Sequence, residues 1–111
     1  MEEFNVLFLQ EALDDLEEIV LYIAQDSKSA ALKMHDMIID RACSLSTLPE
    51  RGPLAPHAKM RSAGYRVLLI KPYIAFYRVI NQNVIIYRVI HGASNYPMLY
   101  ERLLQNTYIE E

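Results

Sequence analysis

The hydrophobic period of this chain changes from helical to strand-like past its middle, and that change restricts the folds open to it. Over residues 10–48 apolar residues recur at helical spacing, and from Tyr65 onward they fall in short β-prone runs. Three runs, Tyr65–Ile70, Tyr73–Ile80 and Val84–His91, are parted only by Lys71-Pro72 and Asn81-Gln82-Asn83. Gaps this short predict consecutive antiparallel hairpins.

The helical part reads as two segments. Residues 10–26 place Leu13, Leu16, Ile19, Val20 and Ile23 on one face, and Asp14, Asp15, Glu17 and Glu18 suit the positive end of the helix dipole. Asp26-Ser27-Lys28-Ser29 is a break in which Ser27 or Ser29 can cap the next helix. Residues 30–48 follow, with Ala31, Met34, Ile38, Ala42 and Leu45 as the buried stripe, until Pro49 and Gly52-Pro53 end the pattern. Ahead of both helices, residues 3–9 (EFNVLFL) predict a first strand. Residues 50–63 read as a loop with room for a short turn of helix, and 96–106 as a possible C-terminal helix with Pro97 in its first turn.

The predicted fold is therefore α+β, in the order β-α-α-β-β-β. An N-terminal helical hairpin packs on one face of a mainly antiparallel sheet. At 111 residues the chain is read as a single domain, 1–111, able to bury one core without staples. No apolar run approaches the ~20 residues of a spanning helix, so no membrane is expected. The acidic start Met1-Glu2-Glu3 does not read as a signal peptide. A lone cysteine, Cys43, excludes an internal disulfide and suits a reducing cytoplasm, so the expected localisation is cytoplasmic.

Charge is unevenly distributed. Residues 1–50 hold eleven acids and three bases, whereas residues 51–100 hold seven bases and no acid: Arg51, Lys59, Arg61, Arg66, Lys71, Arg78 and Arg88. Such a stretch is either an anion-binding surface or is neutralised by packing on the acidic helices. Lys59, Arg61 and Arg66 are the candidates for contacting nucleic acid or another anion, because they sit near a loop with no acid close in sequence. A three-residue loop at Asn81–Asn83 sets Arg78 opposite Ile86 and Arg88 opposite Phe76. Both arginines then lie on one face with Ile74, Phe76, Ile80, Val84, Ile86 and Ile90, and Tyr73, Tyr77, Tyr87 and His91 lie on the other. Arginines placed so favour ion pairs with helix acids. His35 and His57 lack partners at metal-ligand spacing, so neither a metal nor a cofactor is expected.

Several pieces together carry a resemblance: A-L-D-D-L-E-E-I-V-L-Y-I at 12–23, L-S-T-L-P-E-R-G at 45–52, G-Y-R-V-L at 64–68, Y-I-A-F-Y-R-V at 73–79 and I-Y-R-V-I-H-G at 86–92. In order and spacing the chain resembles the RelE/ParE superfamily, the toxins of bacterial type II toxin–antitoxin (plasmid stabilisation, or addiction) modules, over roughly residues 4–104. The resemblance implies a small toxin held inactive by a cognate antitoxin protein.

Two activities occur in that superfamily. The RelE-like branch is a metal-independent endoribonuclease that cuts mRNA on the ribosome, which requires a base, an acid and cations for the charged phosphorane. On that pattern Arg66 matches one basic strand position, Tyr100 matches a C-terminal tyrosine, and His91 stands in for a histidine used by a related subgroup. Arg66, His91 and Tyr100 are then the catalytic candidates. Three further basic positions fall on Leu68, Ile74 and Ser94, which leaves the cationic set thin. The ParE-like branch inhibits DNA gyrase and requires no catalytic set. Y-R-V at 77–79 and R-V-I-H-G at 88–92 resemble this branch more closely, and it is the one expected here. A degenerate member that binds antitoxin without toxicity is a third alternative.

Overall fold

A computed structural model describes residues 3–92 and Glu101. The elements run β1 (Asn5–Phe8), α1 (Gln10–Ala24), α2 (Lys28–Cys43), a turn of 3-10 helix (Ser44–Ser46), α3 (Ala58–Ser62), β2 (Arg66–Ile70), β3 (Tyr73–Ile80) and β4 (Asn83–His91). This is the expected α+β order, with α3 as the short helical turn within the 50–63 loop. The helix expected over 96–106, and with it Tyr100, lies outside the described residues apart from Glu101, which is helical.

The strands form one sheet in the order β1-β4-β3-β2. Both hairpins are antiparallel, while β1 adds in parallel to β4, pairing Asn5 with Asn83 and Phe8 with Ile86. α1 and α2 cover one face. Ala12, Leu16 and Ile19 of α1 and Ile38 and Ala42 of α2 bury against Tyr73, Ala75, Tyr77, Val84, Ile86 and Val89. Burying each large aliphatic side chain in this layer stabilises the fold by about 1.5–3 kcal/mol. Leu13, expected in the stripe, is 42% exposed, because the buried line runs through Ala12, Leu16 and Ile19 instead. Ser27 caps α2 by accepting from the Ala30 N–H at 3.1 Å. The hairpin's far end returns to the sheet edge, where the Phe4 N–H donates to the Ser46 carbonyl at 2.8 Å.

The other face carries a smaller core of Ala55, Met60, Tyr65, Phe76, Tyr87 and Ile90 under the 53–65 segment. The sheet faces thus differ from the expected ones in β4. The β3–β4 turn has two residues, Asn81-Gln82, since Asn83 already pairs with Ile80. Asn81 takes the left-handed backbone conformation (φ 56°) that asparagine tolerates in tight turns. A turn shorter by one residue sends Val84 and Ile86 to the helix-covered face. A β-bulge between Phe76 and Tyr77 then restores the register, so Arg78 opposes Ile85 while Arg88 opposes Phe76. Tyr87 is the extra residue on β4, and it points away from Tyr73 and Tyr77 into the smaller core.

The outer edge of β2 is closed by its own chain. The Val67 N–H donates to the Pro53 carbonyl at 3.0 Å, and the Arg41 guanidinium donates to the Leu69 carbonyl at 2.9 Å. Gly52 makes this closure possible, since a Cβ there would collide with the Val67 carbonyl oxygen and the Tyr77 hydroxyl. The buried Tyr77 hydroxyl accepts from the Gly52 N–H at 2.9 Å.

Tyr77→Phe should therefore cost about 1–3 kcal/mol, because it strands a buried N–H, and Gly52→Ala should cost at least as much; urea denaturation measures both. Burial raises the Tyr77 phenol above its ordinary value, against smaller lowering by the Gly52 N–H and nearby arginines, and burial also raises Tyr73. A raised value in the folded state means a contribution intact below the ordinary tyrosine range and lost as pH rises through it. Alkaline melting should accordingly set in over that range, and less steeply in Tyr77→Phe.

Candidate functional site

α1 leaves the sheet edge where β1 ends, and one of its carboxylates takes over the role of a strand. Asp15 accepts from Arg88 Nε at 2.7 Å and from Arg88 Nη2 at 2.9 Å, and its Oδ2 also accepts from the Val89 N–H at 2.9 Å. The fork geometry of guanidinium on carboxylate is the strong form of this contact, and both side chains are largely covered (23% and 12% exposed). Hydrogen bonding from Asp15 raises the Arg88 guanidinium further above its ordinary value, burial opposing. This is the ion pair between a strand arginine and a helix acid that the charge pattern favoured.

Beside the clamp lies an open cleft of about 460 Å³ between α1 and the final residues of β4. Asp15, Glu18 and Tyr22, spaced at three and four residues along one helix face, form one wall. Tyr73, Arg88 and His91 form the other, with the His91 ring edge-on to Tyr73 at 5.6 Å. Burial, and next the neighbouring Tyr22 phenol, raise the Tyr73 hydroxyl above its ordinary value.

The other sequence candidates lie elsewhere. Arg66 donates to the Glu50 and Gly52 carbonyls at 3.2 and 2.8 Å and pairs with the Glu50 carboxylate at 3.2 Å, bracing the loop against β2. Arg66 opposes Tyr77 while His91 opposes Tyr73 two strands away. Their backbones are thus roughly 13 Å apart along the strands and roughly 10 Å across them. The structure does not bring Arg66 and His91 together. Lys59 and Arg61 are exposed on α3, where Arg61 donates to the Pro56 carbonyl at 3.0 Å. Arg78 lies 5.4 Å above the Tyr65 ring and donates to the Tyr87 hydroxyl at 3.3 Å, on the face away from Arg88's helix partner. The basic half of the chain is thus spent largely on backbone carbonyls and aromatic rings, with Asp15 and Glu50 as its carboxylate partners among the described residues. No group of three or more His, Cys, Asp or Glu among the described residues is placed to hold a metal ion. None of their helices is long and apolar enough to cross a membrane.

Sequence reasoning missed Glu18, Tyr22 and Tyr73 as cleft residues. Their helical spacing and the position of Tyr73 at a strand start were visible, but the meeting of α1 with β4 was not.

Comparisons with known proteins assign this helix-hairpin-on-sheet chain to a class, the toxins of type II toxin–antitoxin modules. The family model described as the ParE toxin of the type II toxin–antitoxin system parDE matches residues 6–96. The chain belongs to the ParE toxin family. Among solved structures it is similar to a chromosomal ParDE toxin–antitoxin system from P. aeruginosa, with TM-score 0.64, 23% identity, and 80% of this chain and 96% of that chain covered. It is also similar to the RelBE2 toxin–antitoxin complex from Mycobacterium tuberculosis, with TM-score 0.59, 25% identity, and 85% and 97% covered. Curated proteins yielded no match.

Asp15→Ala should cost about 3 kcal/mol, since it strands a largely covered guanidinium and the Val89 N–H together. In a double-mutant cycle with Arg88→Ala, read by urea denaturation, the two losses should be less than additive.

Proposed function

We propose that this protein is a ParE-like toxin that inhibits DNA gyrase in the bacterial cytoplasm and is neutralised by a cognate antitoxin. The observation that carries this reading is the match to ParE toxins over residues 6–96. The antitoxin partner is supported by the likeness to a ParDE system and to a RelBE2 complex. The geometry adds support. General acid–base cleavage of RNA requires its acid, base and cations around one phosphate. Here Arg66 is committed to the Glu50–Gly52 loop, and His91 faces a different part of the sheet. Inhibition by binding makes no such demand.

The test is pulse incorporation after induction of the chain without antitoxin, together with supercoiling by purified gyrase. Labelled thymidine incorporation should fall before labelled leucine incorporation, and supercoiling should be blocked. His91→Ala and Tyr100→Phe should both arrest growth as the parent does, and so should Arg66→Gln once circular dichroism shows it folded. Translation failing first, with loss of toxicity in His91→Ala, would establish the ribosome-dependent endoribonuclease instead. No effect on either synthesis by the folded protein would identify a degenerate, non-toxic member.

A further inference from the structure

The cleft beside the Asp15–Arg88 clamp has a chemistry that neither the fold nor gyrase inhibition explains. Asp15 is consumed by Arg88 and the Val89 N–H. Glu18, one helical turn on, is exposed and makes no ion pair among the described residues; it lies within the field of Arg88, but Asp15 and Glu18 together outnumber that one guanidinium, so the cleft's wall is net acidic. Around it stand three aromatic rings. Tyr22 is 70% exposed, which is unusual for so large a side chain on a helix whose neighbouring face is buried. Tyr73 is nearly covered, and His91 stands edge-on to it with an interplanar angle of 87°.

A carboxylate beside aromatic faces selects a cation. Among biological cations the guanidinium fits best, because its plane stacks on a tyrosine ring while its fork engages a carboxylate. The volume, about 460 Å³ and open to solvent, is ample for an arginine side chain. The cleft also lies where β4 runs on past β1, whose ladder ends at Ile86, and no strand among the described residues pairs with that side of β4 beyond this point. We propose that this cleft is a receptor for a single arginine side chain of a partner polypeptide, held by Glu18 and stacked against Tyr22 and Tyr73. The inference is independent of which target the toxin inhibits.

The test is a titration of the isotope-labelled full-length protein with the tripeptide acetyl-Gly-Arg-Gly-amide, followed by NMR. Saturable shifts should concentrate on the Tyr22, Tyr73 and His91 rings and the Glu18 side chain. The citrulline tripeptide, a neutral isostere, should give no saturable shift, and the lysine tripeptide should bind more weakly. Glu18→Gln and Tyr22→Ala both change exposed side chains, so the fold should survive, which the spectra check directly. Glu18→Gln should weaken arginine binding by about fivefold or more and Tyr22→Ala by about threefold. Citrulline binding as well as arginine, or shifts unchanged by Glu18→Gln, would overturn the proposal. So would lysine binding as tightly as arginine, or no saturable shift with the arginine tripeptide.

Discussion

β1 lies parallel to β4 over four residues, joining positions such as Asn5 and Asn83 that are 78 residues apart in the chain. Bringing such distant segments together costs chain entropy, and a ladder this short does not offset it alone. The pairing is held from three sides. Ser46 receives the Phe4 N–H at the end of the helical hairpin, Val6 and Phe8 pack into the helix-covered core, and the Asp15 carboxylate grips Arg88 and Val89 just beyond the ladder. Because β1 is parallel and stops at Ile86, α1 must begin there, and the last residues of β4 face a helix instead of a strand. The cleft is the geometric remainder of that arrangement.

The open backbone of edge strand β2 and that of β4 beyond the end of β1 are managed differently. An unpaired strand edge invites association with other chains. At β2 the protein covers the edge with the Pro53–Ala55 segment and the Arg41 guanidinium, an arrangement that requires Gly52 to have no side chain. At the far end of β4 a single carboxylate occupies one edge N–H and leaves an acidic, aromatic hollow open to solvent. The closed edge is occupied by the chain's own backbone and Arg41, whereas the open one carries Glu18, Tyr22, Tyr73 and His91 around the hollow.

The arginines show why a charge pattern alone does not define a binding surface. Seven bases without an intervening acid read as an anion site, yet Arg61 and Arg66 each donate to a carbonyl of the 50–56 loop, Arg51 reaches Ser44, Arg78 stacks on Tyr65 and Arg88 closes on Asp15. Guanidinium groups with several donors in a fixed plane are suited to bracing loops in this way. What stays exposed on α3 is a smaller set, Lys59 and Arg61.

Local pattern determined the element order, the helical hairpin, both antiparallel hairpins and a serine cap on α2, because each rests on residues close in sequence: a 3.6-residue period, a two- or three-residue gap, a serine before a helix; the choice of Ser27 over Ser29 came from the structure. The resemblance carried by Y-R-V and R-V-I-H-G, over pieces spread along the chain, pointed to the ParE family. Tertiary structure alone decided the parallel placement of β1, the bulge at Tyr87 and the cleft. A bulge or a turn one residue shorter leaves the composition of a strand unchanged while exchanging its faces, so Val84, Ile86 and Tyr87 could not be assigned from alternation. Glu18 and Tyr22 read as ordinary solvent-facing helix residues until the helix is set against β4, because a site made by two distant segments exists only in their contact.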